Sequence, residues 1–531
     1  VWVACEGDAV QRVDRPPVAL PVGARPFAIV ARADDLLVTL QGLGQVARVL
    51  PDGTIAERVD VEPDVRGLAA DADAVWVTRY RSPDDRGVVA VLDPSTLARV
   101  DTVDLRIDPG PDSDTNARGL PNLLQRPLVS PDGRVVVVPG AKANVQRGLF
   151  RDGLPLTFET TARADLRQIV RATGLEGETA VFDDRDVAVA TAFSPDGDWL
   201  FVLHAGMEVV DVLDAYTLNR AGAAESVGAG ADGLVVTGDS LWVSAAGSRT
   251  LAGWDVSNVA VPVPLGVIDL VPPTGEVLDP EVLAGKILFG RSVDPRMSTG
   301  GYLSCASCHP DGDSDGRTWD FTDRGEGLRN TISLVGHAGA APIHWTANFD
   351  EVQDFENDIR GPQAGRGFLP DEVWATTSDP LGPPKAGYSP ELDALAAYVA
   401  SLDQAYPSPL PADAATRAEG QLLFEDPAVG CAECHPAPTY TDSVFLGPGE
   451  PLLHDVGTLH AGSGQRRGGP LTGLDTPTLL GLHATAPYLH DGSAATLREV
   501  LVDQNPADAH GVTSTLTDAQ LDLLEAFLAG L

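Results

Sequence analysis

Cys305-Ala306-Ser307-Cys308-His309 and Cys431-Ala432-Glu433-Cys434-His435 are two copies of one five-residue pattern, Cys-x-x-Cys-His. Two thiols three residues apart can each add to one vinyl group of a single porphyrin. The adjacent histidine then lies under the iron and supplies an axial nitrogen. Together the peptides use four of the five cysteines in the chain. The competing readings are zinc, which needs four ligands per ion and no fixed Cys-His adjacency, and a disulfide pair. The repeated pattern is therefore read as two covalent c-type haems. Cys305 and Cys308 carry the first, with His309 axial. Cys431 and Cys434 carry the second, with His435 axial.

Working outward, the motif sets the compartment. Attachment of c-type haem in bacteria takes place outside the cytoplasm, so a periplasmic, extracellular or cell-surface protein is expected. The chain opens on Val1-Trp2-Val3-Ala4, which reads as the inside of a strand, and a leader and a first strand are expected to precede it. Cys5 reads as a small buried residue. At 531 residues two or three domains are expected. No apolar run approaches the length of a membrane span. The net charge is -39, and the lysines are Lys142, Lys286 and Lys385. Such a balance excludes a nucleic-acid binder. It favours encounter with basic partners such as a basic cytochrome or a cupredoxin, a salt-adapted surface being the other reading.

Toward the N-terminus one short apolar strand recurs: Val1-Trp2-Val3-Ala4, Leu36-Leu37-Val38-Thr39, Val75-Trp76-Val77-Thr78, Val135-Val136-Val137-Val138, Leu200-Phe201-Val202-Leu203 and Leu241-Trp242-Val243-Ser244. Ser130-Pro131-Asp132-Gly133 and Ser194-Pro195-Asp196-Gly197 supply matching tight turns. Short strands and turns at this period predict an all-β propeller of six to seven blades, seven favoured, over residues 1–276; a β-sandwich array is the alternative. The long intervals from Val75 to Val135 and from Val135 to Leu200 are expected to hold insertions or an extra blade. His204 and Met207 read as packing residues.

Around Pro272-Pro273-Thr274-Gly275 the pattern turns helical, and it then repeats. Gly285-Lys286-Ile287-Leu288-Phe289 matches Gly420-Gln421-Leu422-Leu423-Phe424, and each unit closes with an amphipathic helix, Glu391–Leu402 and Gln520–Leu531. Thr331-Ile332-Ser333-Leu334-Val335-Gly336 echoes Thr476-Pro477-Thr478-Leu479-Leu480-Gly481. The haem cysteines are 126 apart (431 minus 305) and this inner motif 145 apart (476 minus 331). Two mainly α cytochrome c domains related by duplication follow, at residues 277–408 and 409–531.

Asp475-Thr476-Pro477-Thr478-Leu479, followed by Ala486-Pro487-Tyr488-Leu489-His490-Asp491-Gly492-Ser493, resembles the bacterial di-haem cytochrome c peroxidases, the superfamily that includes MauG and is related to the di-haem rubber dioxygenases. The resemblance covers about residues 278–531. Arg118–Asn122 and His344–Glu356 resemble the subgroup with an N-terminal seven-bladed repeat. The resemblance implies that one haem meets the oxidant, peroxide or dioxygen, while the other passes electrons, with Trp345 as the relay between them. It also implies a sixth ligand for the second haem. The family's methionine or tyrosine position holds Gln504 here, and the histidine that the rubber dioxygenases carry near their C-terminus points to His510. For the first haem no histidine lies between Pro310 and Gly336, which leaves an open iron that His337 or His344 could close. The family's proton-shuttling glutamate has no counterpart at the expected spacing, because Trp345-Thr346-Ala347-Asn348 replaces the usual Trp-Asp-Gly-Arg. Glu356 and His344 are the catalytic candidates, with Glu351 and Gln353 behind them. Asp311, Asp313 and Asp315 resemble the first half of a calcium loop, but the twelfth position is Thr322, so a solvated acidic turn competes with calcium. Two functions are expected from this. One is a peroxidase-like oxidoreductase. The other is a non-catalytic electron-transfer cytochrome that uses the propeller for docking.

Overall fold

A computed structural model describes residues 2–5, 7–12, 16–271, 275–410 and 413–531. Val1, the side chain of Cys5 and the switch at Pro272–Thr274 lie outside the described residues. The chain divides into two compact units. One takes residues 1–144, 158–279 and 289–307; the other takes 145–157, 280–288 and 308–531.

Among the described residues the first unit holds six antiparallel sheets in chain order. They begin with Trp2–Cys5, Pro26–Ala31, Val65–Ala70, Leu120–Asn122, Ala188–Phe193 and Ala231–Thr237. Four of them are simple four-stranded meanders. Trp2–Ala4 and the apolar tetrapeptides at Leu36, Val75, Val135, Leu200 and Leu241 fall on strands, and those at Leu36, Val75, Val135 and Leu200 are largely buried. Leu36–Leu40 is buried along its whole length, whereas the last strand of its sheet, Ile55–Asp60, alternates. Buried residues from neighbouring sheets interlock. Leu37 and Val46 pack with Leu68, Val77 and Leu92, and Val89 and Leu105 pack with Val136 and Ile169. Leu166 and Val137 meet Leu200 and Leu213, and Phe201 and Val212 meet Leu241 and Trp254. Burial of β-branched residues between successive sheets is the main favourable contribution to the unit.

The two matching turns are built alike. The Ser130 and Ser194 hydroxyls donate to Asp132 and Asp196, and Gly133 and Gly197 sit at φ +69° and +82°, where a side chain is disfavoured. His204 is fully buried against the Phe182 ring, and the Met207 side chain lies against the Gly301 backbone.

The second unit shows the duplication in three dimensions. Helix Pro280–Phe289 crosses helix Pro390–Ala400 at Gly285, where a Cβ would lie 1.9 Å from the Ala394 carbonyl. Helix Ala414–Phe424 crosses helix Asp518–Leu528 at Gly420, where a Cβ would lie 2.1 Å from the Leu523 carbonyl. The paired glycines are thus contact points that admit no side chain. Ser389, Asp413 and Thr517 cap three of these helices through their side chains. Residues 145–157, from one of the long intervals in the strand pattern, belong to this unit. Asp320 accepts the backbone N–H groups of Phe150 and Arg151, and Phe150 packs on His460. No helix among the described residues is long and apolar enough to cross a membrane.

Candidate functional site

The second Cys-x-x-Cys-His peptide forms the short helix Cys431–Cys434, with His435 just past its end. The His435 ring sits beside the Tyr440 carbonyl, 2.9 Å from Nδ1. A carbonyl only accepts, so Nδ1 carries the proton and Nε2 keeps its lone pair, the state a metal ligand needs. His510 faces it across 6.4 Å between ring centroids, at 38° between planes. A metal–imidazole bond is about 2 Å and the centroid lies about 1 Å behind the nitrogen, so two imidazoles on opposite sides of one ion have centroids about 6 Å apart. Burial pushes His510 down to about 4 and lowers His435 as well, so both rings are neutral and ligand-competent at neutral pH.

The loop that presents His510 is pinned by Asn505, which sequence reasoning missed. The Asn505 side chain accepts the His510 N–H at 2.8 Å and donates to the His510 and Gly511 carbonyls and to Thr513 Oγ1. Val512 N–H then bonds the Val429 carbonyl, two residues before the haem peptide. Burial pushes the Cys431 thiol up to about 11, so an ionised thiolate is disfavoured while a neutral thioether carries no such penalty. Gln504 spends its amide on the Ser493 carbonyl.

Trp345 lies where the two halves of the duplication meet, and its surroundings are pseudo-symmetric. The bridges Ile343–Phe349 and Tyr488–Ala494 are equivalent (488 minus 343 and 494 minus 349 both give 145). The same offset relates Asn330 to Asp475 and Trp345 to His490. Asn330 N–H donates to the His490 carbonyl at 2.6 Å, and Asp475 N–H donates to the Trp345 carbonyl at 2.9 Å. The Trp345 indole packs edge-on to His490 at 6.4 Å, and its Nε1–H donates to the Asn330 carbonyl at 2.8 Å. Two copies of one backbone motif thus clasp each other around a tryptophan in one copy and a histidine in the other.

At the first peptide, His309 is half-buried. Its Nδ1 has no hydrogen-bond partner among the described residues, and burial pushes the ring down to about 4. A charged His344 would lower it further. His344 stands at φ +71° between the rings of Phe349 and Phe355, with Nδ1 2.8 Å from Asn348 Oδ1. Asp358 completes this surrounding. Desolvation raises its carboxyl, while the charges of His344 and Arg324 pull it back. Burial pushes the His337 ring down to about 4.

The remaining sequence candidates are committed elsewhere. Glu356 is fully buried; its carboxylate accepts the N–H groups of Phe368 and Leu369 and the Arg360 guanidinium. Glu351 caps a turn and accepts from Lys385 and Ala386, and Gln353 donates to Asp393. Asp313 accepts from Ser314 N–H, and Asp315 accepts from Arg317 N–H and Trp319 Nε1–H. Asp311, Asp313 and Asp315 are not among the described groups whose ligand atoms lie within 4.8 Å of one another.

Against this geometry the relatives are consistent. Residues 473–508 match the RoxA-like, cytochrome c-like family model. The chain is 31% identical over 276 residues to hydrazine synthase subunit gamma of Kuenenia stuttgartiensis, covering 45% of this chain and 74% of that protein. It is 30% identical over 269 residues to the methylamine utilization protein MauG of Methylorubrum extorquens, covering 43% and 70%. It is 26% identical over 298 residues to the cytochrome-c peroxidase IdrP1 of Denitromonas iodatirespirans, covering 46% and 77%. The fold and the site therefore define a c-type cytochrome oxidoreductase at the family level. The chain belongs to the di-haem cytochrome c peroxidase/MauG superfamily.

Proposed function

We propose that this chain is a di-haem, peroxidase-like oxidoreductase that works in the periplasm or at the cell surface. The first haem, held by Cys305, Cys308 and His309, is the site for peroxide or dioxygen. The second, held by Cys431, Cys434, His435 and His510, is the electron-transfer site. When bound, each haem supplies a one-electron iron couple, and the chain sets the two couples to different work through their ligands. The observation that carries this reading is the His435–His510 pair at 6.4 Å, the spacing of two imidazoles on one iron. Two neutral imidazoles favour a closed, low-spin centre. At the first haem, His344 is held by Asn348 with Phe349 and Phe355 around its ring, a placement suited to a base beside an open iron. Trp345, fixed through its Nε1–H and its carbonyl, serves as the relay.

We assign the six sheets to propeller blades within residues 1–276, and the two haem domains to 277–408 and 409–531. The seventh blade that the sequence period favours has no counterpart among the described sheets. The propeller is the docking module, and the acidic surface favours a basic cytochrome or cupredoxin as redox partner. Calcium at Asp311, Asp313 and Asp315 stays a candidate beside a solvated acidic turn, with Asp313 and Asp315 accepting local backbone and indole donors. The Nε2 lone pair that the Asn348 contact leaves bare on His344 favours the non-catalytic electron-transfer cytochrome as the second reading, if His344 closes the first iron instead of serving it. The test is His510→Ala. The expected result is conversion of the second haem from low spin to high spin with haem content retained. A low-spin spectrum that survives the substitution would sink the assignment.

A further inference from the structure

His344 ends a chain of hydrogen bonds whose direction is fixed by chemistry. Glu326 is an acceptor and is nearly buried, with 14% of its side chain exposed. One oxygen takes the Arg329 guanidinium and the Thr346 hydroxyl; the other takes Asn348 Nδ2–H at 3.2 Å. The Asn348 amide is thereby oriented with its nitrogen toward Glu326, so its Oδ1 faces His344 Nδ1 at 2.8 Å. An amide oxygen only accepts, so His344 carries its proton on Nδ1 and leaves the Nε2 lone pair bare. Phe349 and Phe355 hold the ring in place at 4.5 and 5.1 Å. Arg466 fixes the backbone between His344 and Asn348 by donating to the Thr346 and Ala347 carbonyls.

We propose that Glu326 and Asn348 are positioning residues that lock His344 as the Nδ1–H tautomer and so make its Nε2 the base beside the first haem. The proposal deepens the functional reading above and rests on it. When a haem held by Cys305, Cys308 and His309 supplies the redox couple, His344 Nε2 would accept the proton of one peroxide oxygen and pass it to the other, outer oxygen. The O–O bond breaks and that outer oxygen leaves as water. Over a turnover, two electrons from a one-electron donor protein and two protons from solvent enter, and two waters leave. The departure of this sequence from the family's Trp-Asp-Gly-Arg run gains a physical meaning here. Asn348 stands in the last place of that run and supplies the acceptor that His344 needs.

The experiment uses the haem-loaded full chain and reads two rates: reduction of hydrogen peroxide, and binding of cyanide, which must also surrender a proton to a base as it enters. Haem content and the low-spin signal of the second haem report folding. Asn348→Val is expected to lower both rates about 10- to 100-fold, as loss of a partner that orients a histidine does. Asn348→Asp, which sets an acceptor against Glu326, is expected to lose as much. The swapped pair Glu326→Gln with Asn348→Asp places a donor opposite an acceptor again and is expected to recover most of both rates. Unchanged rates in Asn348→Val, or a loss that the swapped pair does not recover, overturn the proposal. The underlying reading fails in a different way: His344→Ala then leaves both rates intact, or turns a low-spin first haem to high spin.

Discussion

Gly285 and Gly420 offer a test in which even the sign of the effect is informative. Both lie inside helices, where replacing glycine by alanine adds about 1 kcal/mol of stability through backbone entropy alone. The crossings predict the opposite. At Gly285 the new Cβ would fall 1.9 Å from the Ala394 carbonyl and 2.8 Å from Tyr398 Cβ; at Gly420, 2.1 Å from the Leu523 carbonyl and 2.7 Å from Phe527 Cβ. Carbon–oxygen contacts settle at about 3.3–3.6 Å, so each helix pair must separate by on the order of 1 Å. A gap of that size forfeits a quarter to a half of the dispersion between facing atoms. At Gly420 the loss falls on Phe424, Leu521, Leu524, Phe527 and Leu528, which form one buried cluster. Overpacking of this kind costs about 1–3 kcal/mol beyond any propensity gain. A net destabilisation of about 2 kcal/mol is expected for Gly285→Ala and Gly420→Ala alike, because the two contacts are copies of each other. Urea unfolding followed by circular dichroism and haem absorbance measures it. A raised or unchanged midpoint in either variant would refute the contact, and effects of opposite sign would refute the equivalence of the two domains.

Three further outcomes follow from named residues. Lys385→Met is expected to cost roughly 3–5 kcal/mol in urea unfolding, because Lys385 and Asp354 are both fully buried and pair with each other, so the change strands a buried carboxylate; a loss under about 1 kcal/mol would mean the pair is solvated. Glu356→Gln is expected to lower stability by about 1.5–3 kcal/mol while leaving the peroxide rate within about twofold, since the carboxylate holds Phe368, Leu369 and Arg360; a rate loss of 100-fold or more would make it the proton shuttle after all. His204 is buried, and its imidazole is held neutral down to about 4 against an ordinary 6.5. Between those values the unfolded chain binds more protons than the folded one, so this contribution is complete above pH 6.5 and is lost as pH falls to about 4. Stability of the strand-rich unit against pH is expected to lose one proton of slope in that window in His204→Phe, and an unchanged slope would rule the histidine out.

The parts of this protein that were legible in its sequence are those with local signatures. The Gly-x-x-x-Phe helices and the apolar strands from Leu36 onward each carry a local pattern, and each falls on the expected element. The two Ser-Pro-Asp-Gly turns close as their chemistry requires. What stayed hidden depends on partners distant in sequence. Asn505 is an ordinary asparagine until its side chain is seen binding the His510 loop. Glu326 and Asn348 are 22 residues apart and acquire direction only when they meet. Residues 145–157 sit inside the strand pattern and yet pack with the haem-peptide half, through Asp320 and His460. The Glu356, Asp313 and Asp315 carboxylates meet backbone donors, the Trp319 indole and an arginine, contacts that no local pattern announces. The 145-residue offset was legible, and its consequence was not: it makes Trp345 and His490 equivalent positions that meet face to edge.

The most direct test of the proposed division of labour between two haems is the electron paramagnetic resonance spectrum of the fully oxidised protein, recorded before and after one equivalent of hydrogen peroxide. One low-spin signal from the His435–His510 centre and one high-spin ferric signal that peroxide abolishes are expected. Two low-spin signals that peroxide leaves untouched, in oxidised and half-reduced protein alike, would contradict an open first haem and leave a cytochrome that only passes electrons.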